Sequence, residues 1–581
     1  MATQLETVIA KPFSGDYRID VLLDDVKYRW NTHSPLGTEV QIPFAFLSVA
    51  SSWASADDLK GFNPFSLEAM AATRQILSDI SKLIKVTFIE VAETAITHGI
   101  RFANNTQEKS AGYASMPQPG TEPNGFIQGS GDLYMASNQF TNLTFAPGSY
   151  EYLTLVHEIG HAIGLNHPGN YNAGEPASTE AGNFLATSED NTWISIMSYN
   201  AVPQAQNRTF FGTYDMLALK YLYGSRSYNA EDTEYAFVDA HGQVLQIIND
   251  TGGIDTLNFS NLSIGVNINL ESGRHSSVGT LADGSTAAIN NVSIAFDALI
   301  ENVIGSRFDD VLLGNSANNL LSGGAGNNAI NGGAGHDIAQ FSGNRNTFTL
   351  QKKTGGSFVV EKPNSEGSDT VINVEALRFS DMNLNLMIGE NSKTIEAGTL
   401  KSLVELYIAY FNRVPDADGL NYWIGESKAG LSLEQIGQSF YNAAVSPNFS
   451  VLTGYSNDMS NADFVKIIYK NVLGRSNPDV DGLNYWSDEL ANGGATRGSL
   501  IKTMLDSAHS FKGKADYGYV ADLLDNKFAV GKYFAIDNGI NYNTPQESYS
   551  KGVDIAKAVT PTSIQAAINL IGINDAGFSL T

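Results

Sequence analysis

The sequence predicts a multidomain chain: a mixed α/β domain over residues 1–224, a parallel β-roll or β-sandwich over 225–390, and an all-helical (all-α) domain over 391–581. Three observations predict it. Helical and β-branched runs alternate around "VHEIGHAIGLNHPG" in the first part, a glycine-rich period of nine begins at Gly305, and two copies of "DGLNYW", each flanked by helical runs, follow. At 581 residues, 42% of them apolar, the chain is long enough for several domains with a sizeable core.

In the α/β part, "PFSLEAMAATRQILSDISKLI" offers Ser66 as an N-cap, with Leu67, Met70, Ala71, Leu77, Ile80 and Ile84 at helical spacing. It runs into "KVTFIEV", which reads as a strand, and "SAGYAS" (110–115) is a second strand candidate ahead of a Pro- and Gly-rich stretch. Then comes the histidine motif. His157 and His161 lie four residues apart, so a helix projects both from one face, as two ligands of one ion require. Were the helix to continue, His167 would lie about 9 Å further along the axis. Gly164 and Pro168 end it instead, and a left-handed glycine turn swings His167 back as a third nitrogen ligand. Three imidazoles with a fourth position open to water describe one catalytic zinc site; a structural site would be closed by four protein ligands. Glu158 points beside the metal, where a general base belongs.

Composition agrees. The absence of cysteine excludes a disulfide scaffold, a thiolate metal site and a cysteine nucleophile. A formal net charge of −26, from 61 acidic and 35 basic residues, argues against nucleic acid and anionic membranes as partners and suits divalent cations. No run of about 20 apolar residues occurs, so no membrane insertion is expected, and "MATQLETVIAKPFSGDY" lacks the pattern of a cleaved secretory signal.

"HEIGHAIGLNHPG", followed by "SIMSYN" (195–200) and "YLYG", resembles the serralysin family of secreted bacterial metalloproteases, within the metzincin clan. The resemblance implies an α/β metzincin-like catalytic domain. It implies that Met197 forms a hydrophobic floor beneath the histidines, and that Tyr199 is a further zinc ligand that moves to stabilise the tetrahedral intermediate. It also implies that "SAGYAS" is an edge strand on which an extended polypeptide substrate is laid, main-chain pairing giving affinity with little sequence preference.

From Gly305 the chain reads in nines: "GSRFDDVLL", "GNSANNLLS", "GGAGNNAIN", "GGAGHDIAQ". This is the pattern of a calcium-binding parallel β-roll, in which a turn of six offers carbonyls and a carboxylate and a strand of three buries Leu312, Leu321, Ile330 or Ala339. The sixth positions are Asp310, Asn319, Asn328 and Asp337, so the family's pairing of each turn with the turn two further on leaves one carboxylate of two and predicts weakened calcium binding. Upstream, "NDTGGIDTLNFS" resembles the family's first calcium sites. Carried over by position, Glu231, Thr233, Asp250, Gly252, Gly253, Asp255 and Glu301 are the expected ligands, several structural calcium ions in all with Asp310 and Asp337.

The last third duplicates "YFNRVPDADGLNYW" as "VLGRSNPDVDGLNYW", predicting paired helical units with Trp423 and Trp486 as equivalent core anchors and acidic turns before them. It resembles a helical repeat of unknown function appended to secreted bacterial proteins, suited to docking on a cell surface or to a capping role. The serralysin resemblance further implies export through a type I secretion apparatus by an uncleaved C-terminal signal, here "GINDAGFSLT", and an extracellular or cell-surface location. The expected function is a secreted zinc endopeptidase acting on polypeptides. The alternative is a calcium-dependent surface-binding or adhesion protein with a vestigial protease domain.

Overall fold

The computed structural model describes residues 13–120, 125–140, 144–172, 184–573, 575 and 577–581. Two compact units divide the chain, residues 1–317 and 318–581. The division falls inside the run of nines, not near residues 224 or 390.

In the first unit, five strands form one sheet in the spatial order Val86–Glu90, Val40–Phe46, Ile100–Asn105, Asp132–Ala136, Gly112–Ala114. All neighbours are parallel except the last pair, where Gly112–Ala114 runs antiparallel to Asp132–Ala136 in the register Gly112↔Met135. The expected strand within 110–115 therefore lies at an edge of the sheet. Helix Leu67–Leu83 is capped by the Ser66 hydroxyl, which accepts from the Ala69 N–H, and it buries Ala69, Thr73, Ile76, Leu77, Ile80 and Leu83 along one stripe. Helix Tyr150–Ala162 is buried almost throughout and shares a core with the sheet through Leu155, Val156 and Ile159. Beyond Tyr223 the chain winds into three-residue parallel strands: Glu234–Ala236, Thr256–Asn258 and Asn302–Ile304 pair in one row, and Asn267–Asn269 with Val311–Leu313 in another.

In the second unit the winding is the same. Leu320–Ser322 pairs in parallel with Ile338–Gln340, two nines along, and that strand with Ala376–Arg378; Ala329–Asn331 pairs with Ser368–Ile372. The central residues Leu321, Ile330 and Ala339 are fully buried, as is Leu312 in the first unit. Helices including Ala397–Phe411, Ala417–Lys428, Leu433–Ala444, Asn461–Leu473, Val480–Ala491, Ser499–His509 and Gly518–Lys532 follow. The acidic loops of the duplication are helix N-caps: Asp416 accepts from the Gly419 N–H and Asp479 from the Gly482 N–H.

Two expectations need correction here. Trp423 and Trp486 are only half-buried; the first copy buries Leu420 and Ile424 instead, and helix Val480–Ala491 has no fully buried residue. The helical part also contains a strand, Ile540–Tyr542, antiparallel to Met382–Asn385. In "GINDAGFSLT", positions 574 and 576 lie outside the described residues, while Phe578 and Leu580 are buried. Among the described residues, no helix is long and apolar enough to cross a membrane.

Candidate active site and calcium-type turns

The helix Tyr150–Ala162 carries His157, Glu158 and His161 on its last turns and ends where the sequence places a break. Gly164 has φ +106°, and a Cβ there would stand 2.2 Å from the Tyr28 carbonyl oxygen, so both the turn and the close packing demand glycine. The returning chain brings His167 Nε2 to 3.2 Å from His157 Nε2 and 3.0 Å from His161 Nε2. Each helical imidazole has its other nitrogen on a carbonyl, His157 Nδ1 on Ile196 O and His161 Nδ1 on Leu165 O, both at 2.8 Å. Those nitrogens must carry the protons, so two Nε2 lone pairs are turned on His167. Burial pulls His157 down to about 4 and His167 to about 3, and holds His161 well below its ordinary value, so all three are neutral at pH 7. Converging neutral imidazoles with orientation-fixing carbonyls fit a zinc ion. Among the described residues they are also the one group of three or more potential His, Asp or Glu ligands drawn together within 4.8 Å.

The floor is Met197, fully buried. A Cβ on Gly160 would meet its Sδ at 2.6 Å, which explains the glycine inside "HEIGH". Tyr199 is half-exposed, its ring 4.6 Å from that of His167 and stacked on Tyr171 at 4.7 Å. The Tyr171 hydroxyl accepts the Tyr199 N–H and donates to Asp190. Asp215 underlies this loop: its carboxylate accepts from Ser195 Oγ (2.5 Å), Ile196 N (2.7 Å) and Gly212 N (2.6 Å). Neither Tyr171 nor Asp215 stood out in the sequence.

Glu158 lines a cleft of about 660 Å³ with His157, Tyr199, Gly112, Leu153 and Ala205. Among the described residues its Oε2 is buried without a partner, and burial pushes the carboxyl up to about 8. The sign for stability follows. A carboxyl raised in the folded state stabilises fully below its unfolded value of 4.5, and that contribution is lost as pH rises through about 8. The lowered histidines act oppositely, and with an unfolded value of 6.5 their gain is complete only by about pH 7.5, equally in wild type and variant. Relative to Glu158→Gln, the zinc-free wild type is therefore expected to lose about 2 kcal/mol of stability between pH 6.5 and 8. Urea denaturation of both at the two pH values checks this.

Comparison with known proteins then decides the kinship. A family model described as Peptidase M10 serralysin C terminal matches residues 215–411, and one described as a domain of unknown function (DUF4214) matches 441–513. Metallopeptidase AprA of Pseudomonas marginalis is 33% identical over 305 residues, 48% of this chain and 61% of that protein. Serralysin C of Dickeya chrysanthemi is 36% identical over 310 residues, 49% of this chain and 60% of its own. Serralysin B of the same organism is 32% identical over 334 residues, 53% and 66%. The chain is related to the serralysin-type proteases. It spans about three fifths of the length of the first of these serralysin-type relatives, and the serralysin C-terminal match begins past the three histidines.

The residues expected upstream as calcium ligands are linked to one another in the roll. Thr233 N donates to Asp255 Oδ1, Asp255 N to Glu301 Oε2, and Gly252 N to Asp250 Oδ1. Gly253, at φ +115°, packs so closely on Glu231 that a Cβ would stand 2.7 Å from its carbonyl. Among the described residues Asp255 Oδ2 is buried without a partner, and burial, with Asp250 and Glu301 nearby, pushes the group up to about 6. Carboxylates and carbonyls drawn together in this way fit calcium. Asp337 repeats the arrangement: it accepts from Asn319 N, its own N–H donates to Glu375 Oε2, and its Oδ2 has no partner. Glu375 was missed in the sequence; its signal was that "INVEAL" echoes "LIENVI" around Glu301, each acid immediately preceding a three-residue strand. Asp310 differs. Its oxygens accept from Val266 N, Ser306 N and Ser306 Oγ, a hydrogen-bonded state that competes with ligation.

Proposed function

We propose that the chain is a secreted zinc endopeptidase that hydrolyses peptide bonds of extracellular polypeptides, stiffened by structural calcium. What carries the reading is the convergence of three neutral imidazole nitrogens beside a buried Glu158, whose Oε2 has no partner among the described residues, in a cleft bordered by an edge strand. His157, His161 and His167 would hold the zinc ion, with Tyr199 close enough to His167 to join them. When bound, zinc supplies Lewis acidity, polarising a peptide carbonyl and acidifying water.

The chain's own residues do the rest. The Gly112–Ala114 edge offers main-chain groups to an extended substrate and holds the scissile bond over Glu158. Glu158 takes a proton from the attacking water at its carboxylate and passes it to the amine nitrogen as the C–N bond breaks. The Tyr199 hydroxyl donates to the oxygen that becomes negative. Asp250, Asp255 and Glu301, with Glu231, Thr233, Gly252 and Gly253, and separately Asp337 with Glu375, would hold calcium. Export by a type I apparatus and surface docking through the helical region complete the reading, supported by the likeness to the serralysins for secretion in general.

The edge strand approaches Glu158 as closely as glycine allows: a Cβ on Gly112 would stand 2.8 Å from Glu158 Cγ and 3.0 Å from Oε1. Gly112→Ala is expected to turn the carboxylate aside and lower kcat about 100-fold, at a stability cost of about 1–3 kcal/mol from overpacking. Steady-state kinetics alongside thermal melts test it. The reading as a whole is tested by digestion of a denatured protein in calcium buffer. Cleavage that stops when zinc is chelated and returns when zinc is restored supports it; a folded, zinc-loaded chain that cuts nothing refutes it.

A further inference from the structure

Four aspartates occupy one structural place in the roll, each accepting the backbone N–H of its register neighbour on a side-chain oxygen: Asp255 from Thr233 (2.8 Å), Asp310 from Val266 (2.8 Å), Asp337 from Asn319 (2.7 Å) and Asp369 from Asn328 (3.0 Å). What balances their charge differs. Asp255 and Asp337 each face a second carboxylate, Glu301 or Glu375, an excess of negative charge suited to a divalent ion. Asp310 is met by Ser306. Asp369 is met by a cation belonging to the chain.

The Lys362 ammonium lies 2.6 Å from Asp369 Oδ1 and donates to the carbonyl oxygens of Gly324 (2.7 Å) and Gly326 (2.8 Å), inside the turn "GGAGNN". Both side chains are buried, 4% and 1% exposed; Asp369 Oδ2, like Asp255 Oδ2 and Asp337 Oδ2, has no hydrogen-bond partner among the described residues, but here the ammonium at Oδ1 meets the carboxylate's charge. An ammonium has three protons and here finds three oxygens, so its hydrogen-bonding is complete. A carboxylate and two glycine-turn carbonyls form the kind of oxygen set that such a turn offers to calcium. We infer that Lys362 is a tethered cation filling the calcium position of turn 323–328, which closes this turn without metal.

Charge balance explains the neighbouring residue. A monovalent ammonium needs one carboxylate, and the sixth position of this turn is Asn328, whose amide nitrogen donates to Ala325 O. A second carboxylate there would leave one buried negative charge in excess. A bound ion leaves its turn when free calcium falls, whereas a covalently attached amine stays at any calcium concentration. This turn thus keeps its closure while those at Asp255 and Asp337 depend on the medium.

The inference rests on the calcium reading of the other turns, and its own failure is distinguishable from that reading's. The test counts calcium ions per full-length chain by native mass spectrometry at saturating calcium, with melting in calcium and in EDTA, for wild type, Lys362→Ala and Lys362→Ala/Asn328→Asp. The double variant is expected to bind one ion more than wild type, and both variants to become more calcium-dependent in melting. A folded double variant with an unchanged count overturns the inference, as does one that fails to fold even in calcium. If Lys362→Ala folds in calcium but not in EDTA, it is supported. A wild type that binds no calcium overturns the calcium reading and this inference with it.

Discussion

Glu158→Gln is expected to lower kcat about 10²–10⁴-fold while zinc stays bound. The amide keeps the size and one acceptor of the carboxyl but cannot take a proton from water. Because Glu158 lies outside the converging Nε2 atoms, its loss should leave the imidazole geometry intact. The carboxyl is buried and its Oε2 has no hydrogen-bond partner among the described residues, so an amide at that oxygen breaks no bond there. Neutralising it should even stabilise the zinc-free fold at pH 8, given the direction of its shift. Activity and stability therefore move in opposite directions, a signature that a merely structural residue would not give. Kinetics on a denatured protein, with zinc content measured on the same sample, checks the first half. If activity persists within tenfold of wild type, Glu158 is not the base and the proposed mechanism fails.

How much of this was legible in the sequence depends on the range of the interactions. The histidine helix was, because its information is local: a four-residue interval, a glycine forced to φ +106° and a proline beyond it. The buried strand centres Leu312, Leu321, Ile330 and Ala339 were legible from the period alone. Strands Val40–Phe46, Ile100–Asn105 and Asp132–Ala136 were not. The first is interior to the sheet yet carries Pro43, which reads as a breaker, and the other two are buried nearly throughout, so no alternation marks them. Glu375 and Lys362 reach their turns through strand register across 38 and 36 residues, a relation that no local pattern encodes. The tryptophans misled because an aromatic pair repeated at equivalent positions suggests a core, whereas here Tyr422 and Tyr485 are exposed and Trp423 and Trp486 beside them are only partly buried.

Asp215 makes the coupling between fold and site testable. Its fully buried carboxylate receives Ser195 Oγ, Ile196 N and Gly212 N, and burial raises its pKa while those bonds and the nearby Arg208 oppose the rise. Ser195 Oγ in turn accepts the Met197 N–H. Truncation in Asp215→Ala strands two backbone N–H groups and a hydroxyl in a dry interior, and leaves Arg208 without its nearby counter-charge; the expected loss is about 3–5 kcal/mol. The same loop carries the Ile196 carbonyl that holds His157 Nδ1, so zinc affinity is expected to fall about 10–100-fold. Urea denaturation of the zinc-free protein measures the first effect, and competition against a chromogenic chelator the second. Stability lost with zinc affinity unchanged would mean that the carboxylate only closes the helix start at Gly212. Both lost together would mean that the floor beneath the histidines is held in place from below, by a residue that never touches the metal or the substrate.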